Sequence, residues 1–148
     1  MTEKTSIEKM RDFILTCPFL KDFTDGILVD WHSQDKFGLM PAGQTTIRRE
    51  EDIMGNVIAY KQYNFSLYAQ NFTITDVIRI ETIGFLDRFT EWIEEQSING
   101  TAPVFGDNPG EEEITAQNGM LFQMYEDGQR GRYQIQISVT FEKHYSKE

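Results

Sequence analysis

From Asp76 to Gly100 the apolar residues recur at helical spacing. Ile78, Phe85, Phe89, Trp92 and Ile93, joined by Gln96, return to one side at 3.6 residues per turn, and Asp87, Arg88, Glu91, Glu94 and Glu95 fall largely on the other. The pattern predicts the main amphipathic helix of the chain, with an aromatic stripe that needs a sheet to cover. Thr73, Thr75 and Asp76 supply an N-cap region with an acid where the helix dipole favours one. Asn99-Gly100 supplies the stop, because both residues tolerate the left-handed conformation that closes a helix. Gly84 is a point of weakness within it. A first, shorter helix opens at Thr5-Ser6-Ile7-Glu8, which has the form of a capping box, and presents Ile7, Met10, Phe13, Ile14 and Cys17 on one face until Pro18 ends it.

Elsewhere the pattern changes to that of strands and turns. After a turn at Asp25-Gly26, Ile27 to Trp31 reads as a strand, and a second short strand from Phe37 to Met40, interrupted by Pro41, pairs with it as a hairpin. Thr45 to Glu50 runs toward turn chemistry at Gly55-Asn56 and returns as Val57 to Gln70. On the returning strand Val57, Ala59, Tyr63, Phe65 and Leu67 share a face, and Lys61 interrupts it where the hairpin leaves the core. Residues 101–113 lose all periodicity in a loop rich in Pro, Gly, Asn and Asp, ending on the acids Glu111, Glu112 and Glu113. Ile114 to Gln117 and Met120 to Tyr125 then flank Asn118-Gly119, the strongest short signal for a two-residue hairpin turn. A further turn from Asp127-Gly128 to Gly131 leads into the last strand. There Tyr133, Ile135, Ile137, Val139 and Phe141 alternate with Gln134, Gln136, Ser138, Thr140 and Glu142. The expected fold is α+β: a largely antiparallel sheet with two α-helices packed on one face and extended β-hairpins. Residues 1–148 form one domain, with the 45–70 hairpin as a protruding arm.

Charge and composition narrow the partners. A formal charge of -10 argues against general affinity for nucleic acid, whose phosphates are bound by releasing counterions to Lys and Arg. No apolar run follows a basic start, so neither a secretory signal nor a membrane span is expected, and the chain is expected to stay in the cytosol where it is made. The single cysteine, Cys17, agrees with a reducing compartment, and the sequons at Asn64, Asn71 and Asn99 carry no information without a secretory route.

Catalytic chemistry is scarce. Cys17, His32 and His144 are the only thiol and imidazole groups, and Cys17 lies on the apolar side of a helix end, which favours a buried, inert thiol. Asp30-x-His32 offers two metal ligands on one strand face without a third spaced to join them, and the loop from Asp107 to Glu113 misses the alternating ligands of a calcium loop. No phosphate-cradling glycine loop, dinucleotide fingerprint or Gly-x-Ser-x-Gly elbow occurs, and the carboxylates read as exposed. No cofactor, metal or catalytic role is expected, and the chain is read as a non-enzyme.

Three stretches carry a resemblance that covers nearly the whole chain. The opening Thr-Ser-Ile-Glu-Lys-Met-Arg-Asp-Phe-Ile-Leu-Thr-Cys-Pro-Phe-Leu, the helix Gly-Phe-Leu-Asp-Arg-Phe-Thr-Glu-Trp-Ile-Glu-Glu-Gln and the ending Arg-Tyr-Gln-Ile-Gln-Ile together resemble a family of prophage minor capsid or tail proteins of Gram-positive bacteria. That family is similar in size and α+β character to the tail-terminator and tail-completion proteins of long-tailed phages. The resemblance implies a virion structural protein that assembles, commonly as a hexamer, into a ring capping the tail tube and joining it to the head. Its partners would be copies of itself, the tail-tube protein and head-tail connector proteins, first in the host cytoplasm and then at the head-tail junction. DNA would pass through such a ring without being gripped, which an acidic subunit suits. The candidate subunit-interface residues are Arg48, Arg49, Lys61 and Tyr63 on the arm, and Glu91, Glu94 and Glu95 on the main helix. The competing expectation is a monomeric or dimeric small-molecule binder or enzyme with a pocket between the 76–98 helix and the sheet.

Overall fold

A computed structural model describes residues 5–22, 27–29, 37–72, 76–107, 112–124 and 130–146. Helix α1 (Ser6–Leu15) begins where Thr5 Oγ1 accepts a hydrogen bond from the Glu8 amide at 3.3 Å, as the capping pattern requires. A single 3-10 turn, Leu20–Asp22, follows. The strands are β1 (Ile27–Val29), β2 (Phe37–Glu51), β3 (Val57–Phe72), β4 (Glu113–Met124) and β5 (Arg130–Tyr145), with α2 (Asp76–Ile98) between β3 and β4. They make a five-stranded sheet in the order β1-β2-β3-β5-β4, antiparallel except for the β1–β2 pair. The fold is therefore α+β, as the patterning predicts.

Helix α2 closes as Asn99-Gly100 demands. Gly100 has φ +72°, its N–H bonds to Ser97 O, and the Thr101 N–H bonds back to Gln96 O at 2.9 Å, which together form a Schellman stop. Gly84 leaves the helix unbroken. The stripe does what its spacing implies: Phe85, Phe89, Trp92 and Ile93 are buried, and Leu86 with them. Phe13 of α1 lies 5.0 Å from Trp92, and the ring contacts continue through Phe89 and Phe85 to Phe37 on the sheet. On β5, Tyr133, Ile135, Ile137 and Val139 are fully buried beneath the helices, and the intervening residues face the other way.

Four expectations are corrected. Strands β1 and β2 pair in parallel, with Ile27 opposite Phe37, and not as a hairpin. Only three residues of β1 pair, so the chain has little length to retrace before β2 starts, which a full-length parallel neighbour would not allow. Pro41 does not interrupt β2. Among the described residues that strand has no outer neighbour beyond Leu39, and the register shift between Pro41 and Gln44, with Gly43 at φ +102°, accommodates the imide as an edge bulge. Asn118-Gly119 is not a hairpin turn either. Both halves of β4 pair with the same strand, Gln117 opposite Gln136 and Met120 opposite Gln134, so the dipeptide is a bulge inside one strand. A Cβ on Gly119 would lie 3.1 Å from that of Leu86, and the missing side chain lets α2 approach there. The carboxylates, finally, are not all exposed: Glu112 is buried and accepts the Gly106 N–H at 3.3 Å. The proposed turns at Asp25-Gly26 and Asp127-Gly128, the Thr73 and Thr75 caps, and Asp30 to His32 lie outside the described residues.

Candidate functional site

The β2–β3 hairpin outgrows the helices. Its turn is built by Asp52, whose carboxylate takes the Asn56 backbone N–H at 2.9 Å and the Asn56 side-chain amide at 3.1 Å. Those bonds, the backbone one first, hold the Asp52 carboxyl below the usual carboxylate range. Beyond that turn the hairpin is not a free ribbon. β3 pairs along its whole length with β5, from Val57 opposite Tyr145 to Phe72 opposite Arg130, so the outgrowth is three strands thick. Every β2 residue from Pro41 to Glu51 is exposed, and Ile53 and Met54 at the tip stand fully or largely in solvent.

Two faces of this outgrowth differ in chemistry. On the face away from the helices, Arg48 stacks over Tyr60 at 4.2 Å and pairs with Glu50 at 3.4 Å, while the Tyr60 hydroxyl donates to Glu50 at 3.2 Å. Desolvation first, then the Glu50 and Glu142 carboxylates, raise the Tyr60 hydroxyl above its ordinary range. Nearer the middle of the same face the side chains are neutral: Asn64 Oδ1 accepts from Gln62 Nε2 and from Ser138 Oγ, each at 2.8 Å, within a trough of about 300 Å³ that Gln117 and Gln136 also line. On the helix side, Lys61 lies 5.6 Å from the Tyr145 ring centre, and Tyr63 stacks flat on Phe65 at 4.5 Å as the last ring of the core. Arg49, opposite Ala59, is exposed on this same side.

The loop has structure the sequence did not announce. Phe105 is buried against Tyr63, Phe65 and Phe141, and Asp107 lies alongside β5, its N–H bonded to Glu142 O and its carboxylate to the His144 N–H at 2.8 Å. The His144 amide first, then the charges of Lys143 and His144, pull the Asp107 carboxyl below its usual range. A Cβ on Gly106 would run into the Glu142 carbonyl oxygen, so only glycine lets the loop lie this close. The signal available in sequence was the pair Val104-Phe105 between Pro103 and Gly106, too short for any periodicity rule to isolate.

The opposite edge of the sheet is β4, and it is partly covered. Ser97 of α2 accepts the Ile114 N–H at 3.2 Å, which occupies one outward donor of that edge. A groove of about 360 Å³ runs between the end of α2 and β4, with Glu94 and the largely exposed Ile98 on one wall and Ile114 and Ala116 on the other. Glu91 and Glu95 are exposed on the same helix turns. The predicted interface residues therefore fall apart: Arg48 and Arg49 on the exposed β2 edge, Lys61 and Tyr63 half-buried on the central strand β3, and Glu91, Glu94 and Glu95 on α2 toward β4.

Cys17 and His144, the described thiol and imidazole, are not brought together. Cys17 is buried under α1, where burial pushes its pKa up and keeps the thiol protonated, whereas His144 sits exposed on the far face beside Glu142 at 3.2 Å. Among the described residues no group of three or more His, Cys, Asp or Glu is placed to hold a metal ion, and no helix is long and apolar enough to cross a membrane. The chain matches no protein-family model and no curated protein sequence.

Proposed function

We propose that this chain is a virion structural protein of a prophage or phage, a tail-terminator-like subunit that forms a ring at the end of the tail tube and joins it to the head. The observation that carries this reading is the outgrown sheet. A domain that only needed to enclose its core would end β2, β3 and β5 where the helices end, yet eleven consecutive β2 residues, Pro41 to Glu51, continue as a solvent-exposed edge. Long exposed edges are normally shortened or covered, because their unpaired N–H and C=O groups invite another chain. An edge retained at this length is a surface for assembly.

The competing reading is a ligand pocket between α2 and the sheet. Phe85, Phe89, Trp92 and Ile93 meet Phe13, Phe37 and the β5 aliphatics under the middle of α2, which leaves the groove between the end of α2 and β4 as the place such a ligand would take. No acid-base pair or nucleophile is drawn into the proposal, and DNA passage through an acidic ring would need no phosphate contact.

Light scattering on a size-exclusion column, over a range of protein concentration and with a phage tail-tube protein added, tests the reading. A discrete ring-sized species, alone or on addition of tube protein, is the expected result. A strict monomer under every condition sinks it.

A further inference from the structure

The face of the sheet turned away from the helices is uncharged in its middle. Its side chains stand in rows across the strands: Ser66 opposite Gln136 and Gln136 opposite Gln117, then Asn64 opposite Ser138 and Ser138 opposite Thr115. None of the residues lining the trough of about 300 Å³ is charged, in a chain of which 26% is. Charge on this face returns outside the trough, with Glu113 on β4 and with Arg48, Glu50 and Glu142 at the outgrown end. A face that only had to meet water would share in the charge of the surface, so this composition calls for a reason.

Asn64 organises the trough. Its Oδ1 accepts from Gln62 Nε2 and Ser138 Oγ, which fixes the amide and leaves the two N–H donors of Nδ2 without a partner among the described residues. Gln62 Oε1, the Ser66 hydroxyl and the Gln117 amide likewise have none among them. Donors, acceptors and hydroxyls thus stand together, on strands about 5 Å apart. Four residues further along β3, about 13 Å, Tyr68 lies on the same face. Arg132 is held 4.9 Å from its ring centre, and Gly38 opposite it places no side chain at that position of β2.

We propose that this trough binds a neutral oligosaccharide, with one sugar ring hydrogen-bonded by Gln62, Asn64, Ser66 and Gln117 and the following rings running along β3 to the Tyr68 ring. Sugar hydroxyls both donate and accept, as do amides and hydroxyls, so each can satisfy the other group by group. The C–H face of a sugar is apolar and rests on an aromatic ring. A nucleic acid or an acidic glycan finds no cation in the trough and meets a chain of charge -10, and a metal ion or an amine finds no carboxylate there. A second copy stacked face to face would bury the amides of both sheets without the apolar interior that holds stacked sheets together. The site uses side chains of the sheet face and not the β2 edge, so it does not depend on the ring reading.

NMR titration of isotope-labelled protein tests it, because the side-chain amides of Asn and Gln report on the site directly. Maltotriose, cellotriose and chitotriose are the neutral probes, and trigalacturonate is the acidic control. At up to about 20 mM, where even a millimolar site is close to saturated, at least one neutral trisaccharide is expected to shift the Gln62, Asn64 and Gln117 side-chain amides saturably, and the acid is not. Asn64→Asp keeps the acceptor for Gln62 and Ser138 but removes the donors, and Gln117→Ala alters an exposed side chain. Each is expected to weaken binding by at least about fivefold, with the fold checked by circular dichroism. Absence of a saturable shift with all three neutral probes overturns the proposal, as does equal binding of trigalacturonate. Binding that survives both substitutions unchanged overturns the site. Trough amides that shift with protein concentration alone, with a matching rise in mass by light scattering, overturn it and assign the face to a second copy.

Discussion

Along β5 one alternation of side chains serves two different ends. From Tyr133 to Val139 the inward residues are fully buried, covered by α1, α2 and their aromatic rings. From Phe141 to Tyr145 the strand continues to pair with β3, but among the described residues its inward side meets Phe105, Lys61 and Asp107 in place of a helix, and Tyr145 is about half exposed at 49%. Backbone pairing is the same in both halves, so what differs is the apolar area removed from water. The packed half holds the stability of the domain, and the outgrown half is held in place by the ladder and a few tethers.

The largest test of that contrast is a cavity. Ile137→Ala removes a fully buried side chain between Phe65 and Ala116 on the neighbouring strands, and should cost about 2–5 kcal/mol in urea unfolding. The same truncation at Ile47 should cost less than about 0.5 kcal/mol, since that side chain is largely in solvent. Equal effects at the two sites would mean that the outgrowth is packed against something within its own chain.

A smaller effect is expected where the loop clamps the boundary between the halves. Gly106→Ala forces a methyl group into the Glu142 carbonyl, and the backbone on one side must move. A cost of about 1–3 kcal/mol is expected, with faster hydrogen exchange at Asp107 and His144 while the amides of Ile135 and Ile137 keep their protection. Uniform loss of protection would show that the two halves unfold as one unit.

Smaller still is the pH response of the same clamp. The folded-state pKa of Asp107 is depressed, so its tether contributes fully above the ordinary carboxylate pKa of about 3.9 and is lost as pH falls through the lower folded value. Acidification across that window should shift the His144 amide resonance and raise its exchange, with little change at Ile137. Asp107→Asn should abolish that titration. A His144 response centred above the ordinary carboxylate range would assign it to another group.

These two halves were not equally legible in sequence. The packed half could be read because burial on one side imposes a period: 3.6 through Phe85, Phe89, Trp92 and Ile93, and 2 from Tyr133 to Phe141. Where the period stops, so did the reading. Phe105 and Glu112 are buried from an aperiodic loop: the rings around Phe105 are distant in sequence, and Glu112 turns back onto Gly106 of the same loop. Asn118-Gly119 has the same local chemistry for a turn as for a bulge, and the choice was made by Gln134 and Gln136 on one partner strand and by Leu86 above it. Pro41 read as a strand end because nothing local tells an edge from an interior strand. The charges of the candidate interface were visible as composition, but their separation across the sheet depends on the order β1-β2-β3-β5-β4, which no local pattern encodes.

The smallest expected effect lies at the tip. Ile53 and Met54 are among the most exposed apolar side chains of the described residues, on a turn fixed by Asp52 and Asn56 through backbone and carboxylate bonds. Replacing both with Ser should leave the unfolding free energy within about 0.5 kcal/mol of wild type, because neither side chain loses contacts within its own chain. It should also leave subunit assembly unchanged, since the ring reading rests on the exposed strand edge and not on the turn. Unchanged stability with lost assembly would move the contact from the edge to the tip. Unchanged stability and assembly, with weaker binding of tube protein, would divide the outgrowth into an edge that meets its own kind and a tip that meets the tube.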